Sequence, residues 1–140
     1  MRVDLYGMDR VEHRPSDGLD AKVERVRFWL RNQMVHGRHS DFFPHVAVHE
    51  TEAWILGDGQ ALAQRLGDST IKADTNAEEK NFEKPPAARI SELFVRNGKN
   101  RYNKTIDGRP LFAKLRFQTV YESCAYFKKF YDDLRAVAQR

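Results

Sequence analysis

The stretch Phe43–Leu56, FPHVAVHETEAWIL, changes its periodicity within three residues. Val46 and Val48 alternate with Ala47 and His49, the period of two expected of a strand, whose successive side chains leave opposite faces. From Thr51 the run Ala53, Trp54, Ile55 and Leu56 favours a helix, with Thr51 at the N-cap and Glu52 in the first turn. Glu50 then closes the strand and Glu52 opens the helix. Both carboxylates are expected near the carboxyl end of a strand, where open α/β sheets place their ligands, and a divalent metal is a guest that suits them.

Upstream, residues 1–6 alternate Val3 and Leu5 with Asp4 and Tyr6 and read as a second strand, ended by Gly7. Residues 19–35 between the two strands repeat Val23, Val26, Trp29, Leu30 and Val35 at helical spacing, and Gly37 ends the run. Strand, helix, strand is the order of a parallel crossover. Downstream, Gly57 is expected to turn the chain and Asp58 to cap a short helix that stops at Gly67. Residues 68–84 read as a long surface loop. Pro85 and Pro86 start a helix with Ile90, Leu93 and Phe94 inside and Gly98 as a left-handed cap. Residues 100–108 read as a second loop, and residues 119–139 as one final helix whose stripe Val120, Cys124, Phe127, Tyr131 and Leu134 faces the core. The expected architecture is α/β: a small, mainly parallel sheet containing residues 1–6 and 43–49, flanked by helices, in one domain over 1–140.

With 140 residues, 41% of them hydrophobic, the chain can bury one core. Charged residues make up 31% and no apolar run approaches eighteen residues, which excludes a membrane helix, and MRVDLYGMDR is no signal peptide. A soluble, cytoplasmic protein is expected. The single cysteine, Cys124, has no internal disulfide partner and reads as a small core residue.

The net charge of +4 is unevenly spread. Residues 1–50 carry eight basic and eight acidic side chains, residues 51–84 four and seven, and residues 85–140 twelve and five. Within Arg96–Arg116 seven basic residues stand against the lone acid Asp107, interleaved with Tyr102 and Phe112, a composition that can meet phosphates. Arg96, Lys99, Arg101, Lys104 and Arg109 are the nucleic-acid contacts it suggests; the competing reading is a solvated basic face.

Asp4, Glu50 and Glu52, drawn from two strand ends, can offer hard oxygen ligands to magnesium or manganese and leave positions open for a substrate phosphate. For Glu52 the plainer role is a first-turn charge favoured by the helix macrodipole. All five histidines precede Glu50, but His36 with His39 and His45 with His49 form no zinc signature. His49 can shuttle a proton or orient a carboxylate, or serve structurally. No glycine-rich phosphate loop, nucleophile elbow or dinucleotide fingerprint is present.

VDLYG at 3–7, VAVHETEAWILGD at 46–58, RYNKTIDGRPLF at 101–112 and the later ESCAYFKKF resemble, in order and spacing, the bacterial domain-of-unknown-function family 4276. The resemblance spans nearly the whole chain, and the His-Glu-x-Glu-Ala block is its most specific element. It implies a three-layer TOPRIM-like α/β fold, the fold of topoisomerases, primases and certain nucleases. It also implies a component of a bacterial defence or mobile-element system acting with an ATPase partner. Carried over residue by residue, the resemblance would make Asp4 the aspartate at the end of a TOPRIM strand, Glu50 and Glu52 the family's further acids, and Tyr102, Lys104, Asp107 and Gly108 its second characteristic patch. TOPRIM sites usually carry a glutamate after the first strand and an Asp-x-Asp pair later, whereas this chain reads Asp4-Leu5-Tyr6; the resemblance therefore implies the carboxyl-terminal two-thirds of a longer domain.

The expected function is metal-dependent phosphodiester processing of a nuclease type. Asp4, Glu50 and Glu52 would hold Mg or Mn, with Glu50, Glu52 and Lys104 as the catalytic set, Lys104 neutralising charge that develops on the phosphate. The alternative is a non-catalytic module that binds nucleic acid or protein.

Overall fold

The structure, a computed structural model, describes residues 2–4, 18–33, 42–47, 51–75, 77–78 and 84–139, without the side chains of 2–4 and 47. Two short strands, β1 (Arg2–Asp4) and β2 (His45–Ala47), pair in parallel with Arg2 opposite His45, Val3 opposite Val46 and Asp4 opposite Ala47. Helix α1 (Leu19–Asn32) lies between them in sequence and buries Val23, Val26 and Leu30, spaced as one helical stripe, against Val46. Arg27 is buried on the same helix because its guanidinium donates to the Pro44 carbonyl at 3.1 Å and to Glu24 at 2.8 Å.

The remainder is helical. α2 (Glu52–Asp58), α3 (Gln60–Leu66), α4 (Pro86–Arg96), a π-helical turn (Lys104–Gly108) and α5 (Arg109–Phe112) precede α6 (Phe117–Ser123) and α7 (Ala125–Ala138). Ala53, Ile55, Leu56, Ala61, Leu62, Leu66, Ile90, Phe94, Tyr102 and Leu111 form one core, joined by Ala77 from the segment after α3. α2 packs on α4 and α6, α3 on α5, and α7 on α6 and β2.

This overturns the expected three-layer, TOPRIM-like α/β architecture. Among the described residues the sheet has two strands of three residues each, and the larger core is helix packed on helix. The physical reason lies in where the apolar surface is. β2 contributes Val46 to a small satellite cluster, whereas Ile55, Leu62, Ile90, Phe94 and Leu111 satisfy one another without a sheet between them.

Several boundaries move for local reasons. α2 runs through Gly57, and the break falls at Gly59, whose φ of 67° suits glycine and where an added Cβ would stand 2.7 Å from the Ala73 nitrogen. Asp58 does not cap α3: its carboxylate accepts from the Arg116 backbone N–H at 2.7 Å and from Arg116 Nε at 2.9 Å. Thr51 occupies the N-cap of α2 without a side-chain cap bond. The expected final helix is two helices, broken at Cys124 with φ −123° and ψ 97°. The break is stabilised from a distance, because Glu78 accepts the N–H of Tyr126 at 2.8 Å and of Phe127 at 3.2 Å, capping α7. Within the expected loop of residues 68–84, Ala77 and Glu78 are buried, so that part of it belongs to the core. Residues 104–108 form a turn of helix rather than open loop.

Of the stripe assigned to the last helix, Val120 and Cys124 are buried and Phe127 and Tyr131 half-buried, while Leu134 is exposed. Phe127 and Tyr131 join Phe117 in an edge-on aromatic cluster, with centroids 5.8 Å and 4.5 Å from the Phe117 ring. Burial and the nearby charges of Glu78 and Asp74 push the Cys124 thiol up to about 12, so it stays a neutral packing group. No helix among the described residues is long and apolar enough to cross a membrane.

Candidate nucleic-acid interface

The segment after α4 determines the site. Gly98, at φ 67°, turns the chain after α4, and residues 99–103 lead into the π-helical turn. Asn103 caps that turn: its Oδ1 accepts the N–H of Thr105 at 2.9 Å and of Ile106 at 3.1 Å. Asp107 closes it from the other end, accepting the Asn103 N–H at 3.0 Å and an Arg65 guanidinium N–H at 3.1 Å. Next to it, Gly108 leaves room for Tyr102, whose hydroxyl would lie 2.9 Å from a Cβ at that position.

That clearance lets Tyr102 reach Glu52. Its O–H donates to Glu52 Oε1 at 3.3 Å, and Lys104 Nζ lies 3.5 Å from Glu52 Oε2. Glu52 is only 3% exposed, while the Lys104 side chain is 55% exposed, so a buried carboxylate is tied to a cation that reaches solvent. Burial of Glu52 would be costly without these partners. The fold thus joins the second Glu of the His-Glu-x-Glu-Ala block to the Tyr-x-Lys block, which stand far apart in sequence.

Of the expected metal ligands, Glu50 lies outside the described residues, as does His49, and Asp4 is described only in its backbone at the end of β1. Among the described residues no three His, Cys, Asp or Glu side chains are grouped to hold a metal. The surroundings of Glu52 fit an ion pair better than a metal ligand, since both its oxygens already face a hydroxyl and an ammonium.

The basic residues divide by partner. Arg96 bonds Asp68 at 2.9 Å and Arg116 is held by Asp58. Bonds from Thr70, Arg96 and Asn97 hold the Asp68 carboxyl well below the usual carboxylate range. Lys99, Arg101 and Arg109 are exposed and form no ion pair with another described residue. Lys99 and Arg101 line a groove of about 430 Å³ together with Arg65, Asn103 and Ile106, over a floor that includes Phe94. A neighbouring depression along α4, lined by Ser91, Val95 and Arg96, shares Arg101 with it. Arg65 carries no signal in the sequence, because nothing in α3 announces that its last turn meets Asp107 forty-two residues on. Ile106 reads in the sequence as one apolar residue in a polar loop, which gives it no role.

Among curated proteins and among solved structures no match is found. The family described as Domain of unknown function (DUF4276) matches residues 3–135, which takes in all of the strand pair but Arg2, the Glu52–Lys104 pair and the basic segment together. The chain is a member of that family.

Proposed function

We propose that this protein engages the phosphate backbone of a nucleic acid through the face formed by the end of α4 and residues 99–109. The observation that carries the reading is the convergence of Arg65, Lys99 and Arg101 on one concavity, beside a turn held in shape by Asn103 and Asp107. Cations in a concave site focus positive potential, and a rigid turn loses little entropy when a phosphate arrives. Arg101 also borders the adjoining depression along α4, where Arg96 is already paired with Asp68 and Glu92 adds the opposite charge to the lining.

Anisotropy titrations of labelled oligonucleotides at several salt concentrations test this. Binding should weaken linearly in log–log form, and replacing Lys99 and Arg101 together by Ala should reduce the slope by about two, one for each phosphate no longer neutralised. An unchanged slope would remove the reading.

A second reading, phosphodiester cleavage with Mg or Mn by a defence-type component working with an ATPase, draws support from the strand register. Asp4 stands opposite Ala47, in the strand whose end precedes Glu50 in sequence. Asp4 and Glu50 would hold the ion, which would supply a Lewis acid at the phosphate. Magnesium should then raise the melting temperature of the wild type but not of Asp4→Asn or Glu50→Gln; no rise in the wild type discards this reading.

A further inference from the structure

We infer that the groove between α3, the end of α4 and the π-helical turn accepts an unpaired nucleotide, so that the preferred partner is single-stranded nucleic acid; the inference rests on the phosphate-binding reading above. Its capacity of about 430 Å³ lies within the range of about 300–1,000 Å³ common to small-ligand sites, and its shape is concave. A duplex presents phosphates on a convex cylinder with its bases stacked inside, and it can touch such a groove only at the rim.

The lining is what an unstacked base requires. Ile106 is 70% exposed, and its backbone is held in place, because its own N–H is bonded by Asn103 and the next residue is clamped by Arg65. A branched side chain carried on that held backbone, in the groove that Phe94 also lines, offers an apolar surface against which a base face can lie. Lys99 and Arg101 flank it for the attached phosphates, and Arg101 can also stack its guanidinium plane on the base. The Asn103 oxygen is taken up by two backbone N–H groups, and among the described residues its amide NH₂ meets no acceptor, so it can donate to a base edge. Isolated exposed aliphatic residues are ordinary on protein surfaces. Here the exposure coincides with cations, an amide donor and a nucleotide-sized hollow, and negative charge on the ligand complements the net positive lining.

The test compares a short labelled oligodeoxythymidine with a labelled mixed-sequence duplex at one low salt concentration, using the full chain. The wild type should prefer the single strand by about tenfold, the scale of one base laid against an apolar side chain with a guanidinium beside it. Ile106→Ala, at an exposed position, should lower single-strand affinity about threefold to tenfold, the scale of one or two methylene groups withdrawn from a base face, and leave duplex affinity and salt slope unchanged. Ile106→Trp should raise single-strand affinity. Equal affinity for both probes, or no effect of Ile106→Ala, overturns the inference while leaving the phosphate-binding reading intact. Displacement of the single strand by polyglutamate at equal charge concentration assigns the groove to acidic peptide and also overturns it. Failure of both probes to bind removes the inference and the reading beneath it.

Discussion

Four of the described carboxylates are buried in the helical block around Glu52, whereas in the corner built from α1, the strand pair and α7 the described acids stay near the surface. Glu52, Asp58, Glu78 and Asp107 are 1–8% exposed, and each is met by donors from a distant segment: Tyr102 and Lys104, Arg116, the start of α7, and Arg65. In the corner Arg27 is the buried charge, and Asp133 joins α7 to His45 at 3.2 Å and to Arg27 at 4.0 Å while itself part-exposed. The block uses buried acids as pins between helices; the corner uses screened pairs across a small apolar cluster. Removing a partner of a buried acid in the block strands a desolvated charge, while in the corner, Arg27 apart, the same change returns a group such as Lys129 or Glu24 to water.

The comparison breaks most visibly at Asp58. Arg116→Ala leaves the Asp58 carboxylate, 1% exposed, with the backbone N–H of residue 116 but without the guanidinium at the junction of α2 and α6, and should cost about 3–5 kcal/mol in urea unfolding. A loss below about 1 kcal/mol, the scale of an exposed pair, would mean that the pin is ornamental.

Gly108→Ala asks how tightly the site is coupled to the block. The new Cβ pushes on the Tyr102 hydroxyl, and the strain should cost about 1–3 kcal/mol and loosen the Glu52–Tyr102 bond. If Tyr102→Phe in the same background recovers part of the loss, the clash is at the hydroxyl; no recovery would place it elsewhere.

For the corner, pH is the sharper tool. Burial lowers the His45 pKa from 6.5, outweighing the opposing pull of Asp133, while Arg27 and Lys129 act in the same direction as burial. The folded state then binds fewer protons than the unfolded one, so the contribution is fully present above pH 6.5 and is lost as pH falls through the folded value. The melting temperature should decline in that window, and His45→Gln should flatten this part of the profile. An unchanged profile would exclude His45 as its source.

The smallest effect belongs to Lys129→Ala. Its ammonium meets Glu24 at 3.5 Å with both side chains more than half exposed, and the pair should contribute about 0.2–1 kcal/mol, vanishing in high salt. A salt-independent loss would move the corner closer in kind to the block.

The amino-acid sequence by itself determined the local pieces. The αL stop at Gly67, the start of α4 at Pro85 and Pro86, the interior stripe of Ile90 and Phe94 and the burial of Cys124 follow from backbone sterics and side-chain period, which act over a few residues. The parallel contact of residues 2–4 with 45–47 belongs here too, because both segments alternate and a helix separates them. Tertiary structure alone decided that helices would pack on helices rather than on a wide sheet, that Glu78 would cap α7, and that Arg65 would lock the turn at Asp107. It also decided that Glu52 would meet Lys104, and that Ile106 would line one groove with Lys99 and Arg101. A buried carboxylate must find a donor, but any Arg, Lys or N–H brought near it will serve. Which one arrives depends on how the apolar stripes dock, and that is a property of the assembled core that no spacing along the chain records.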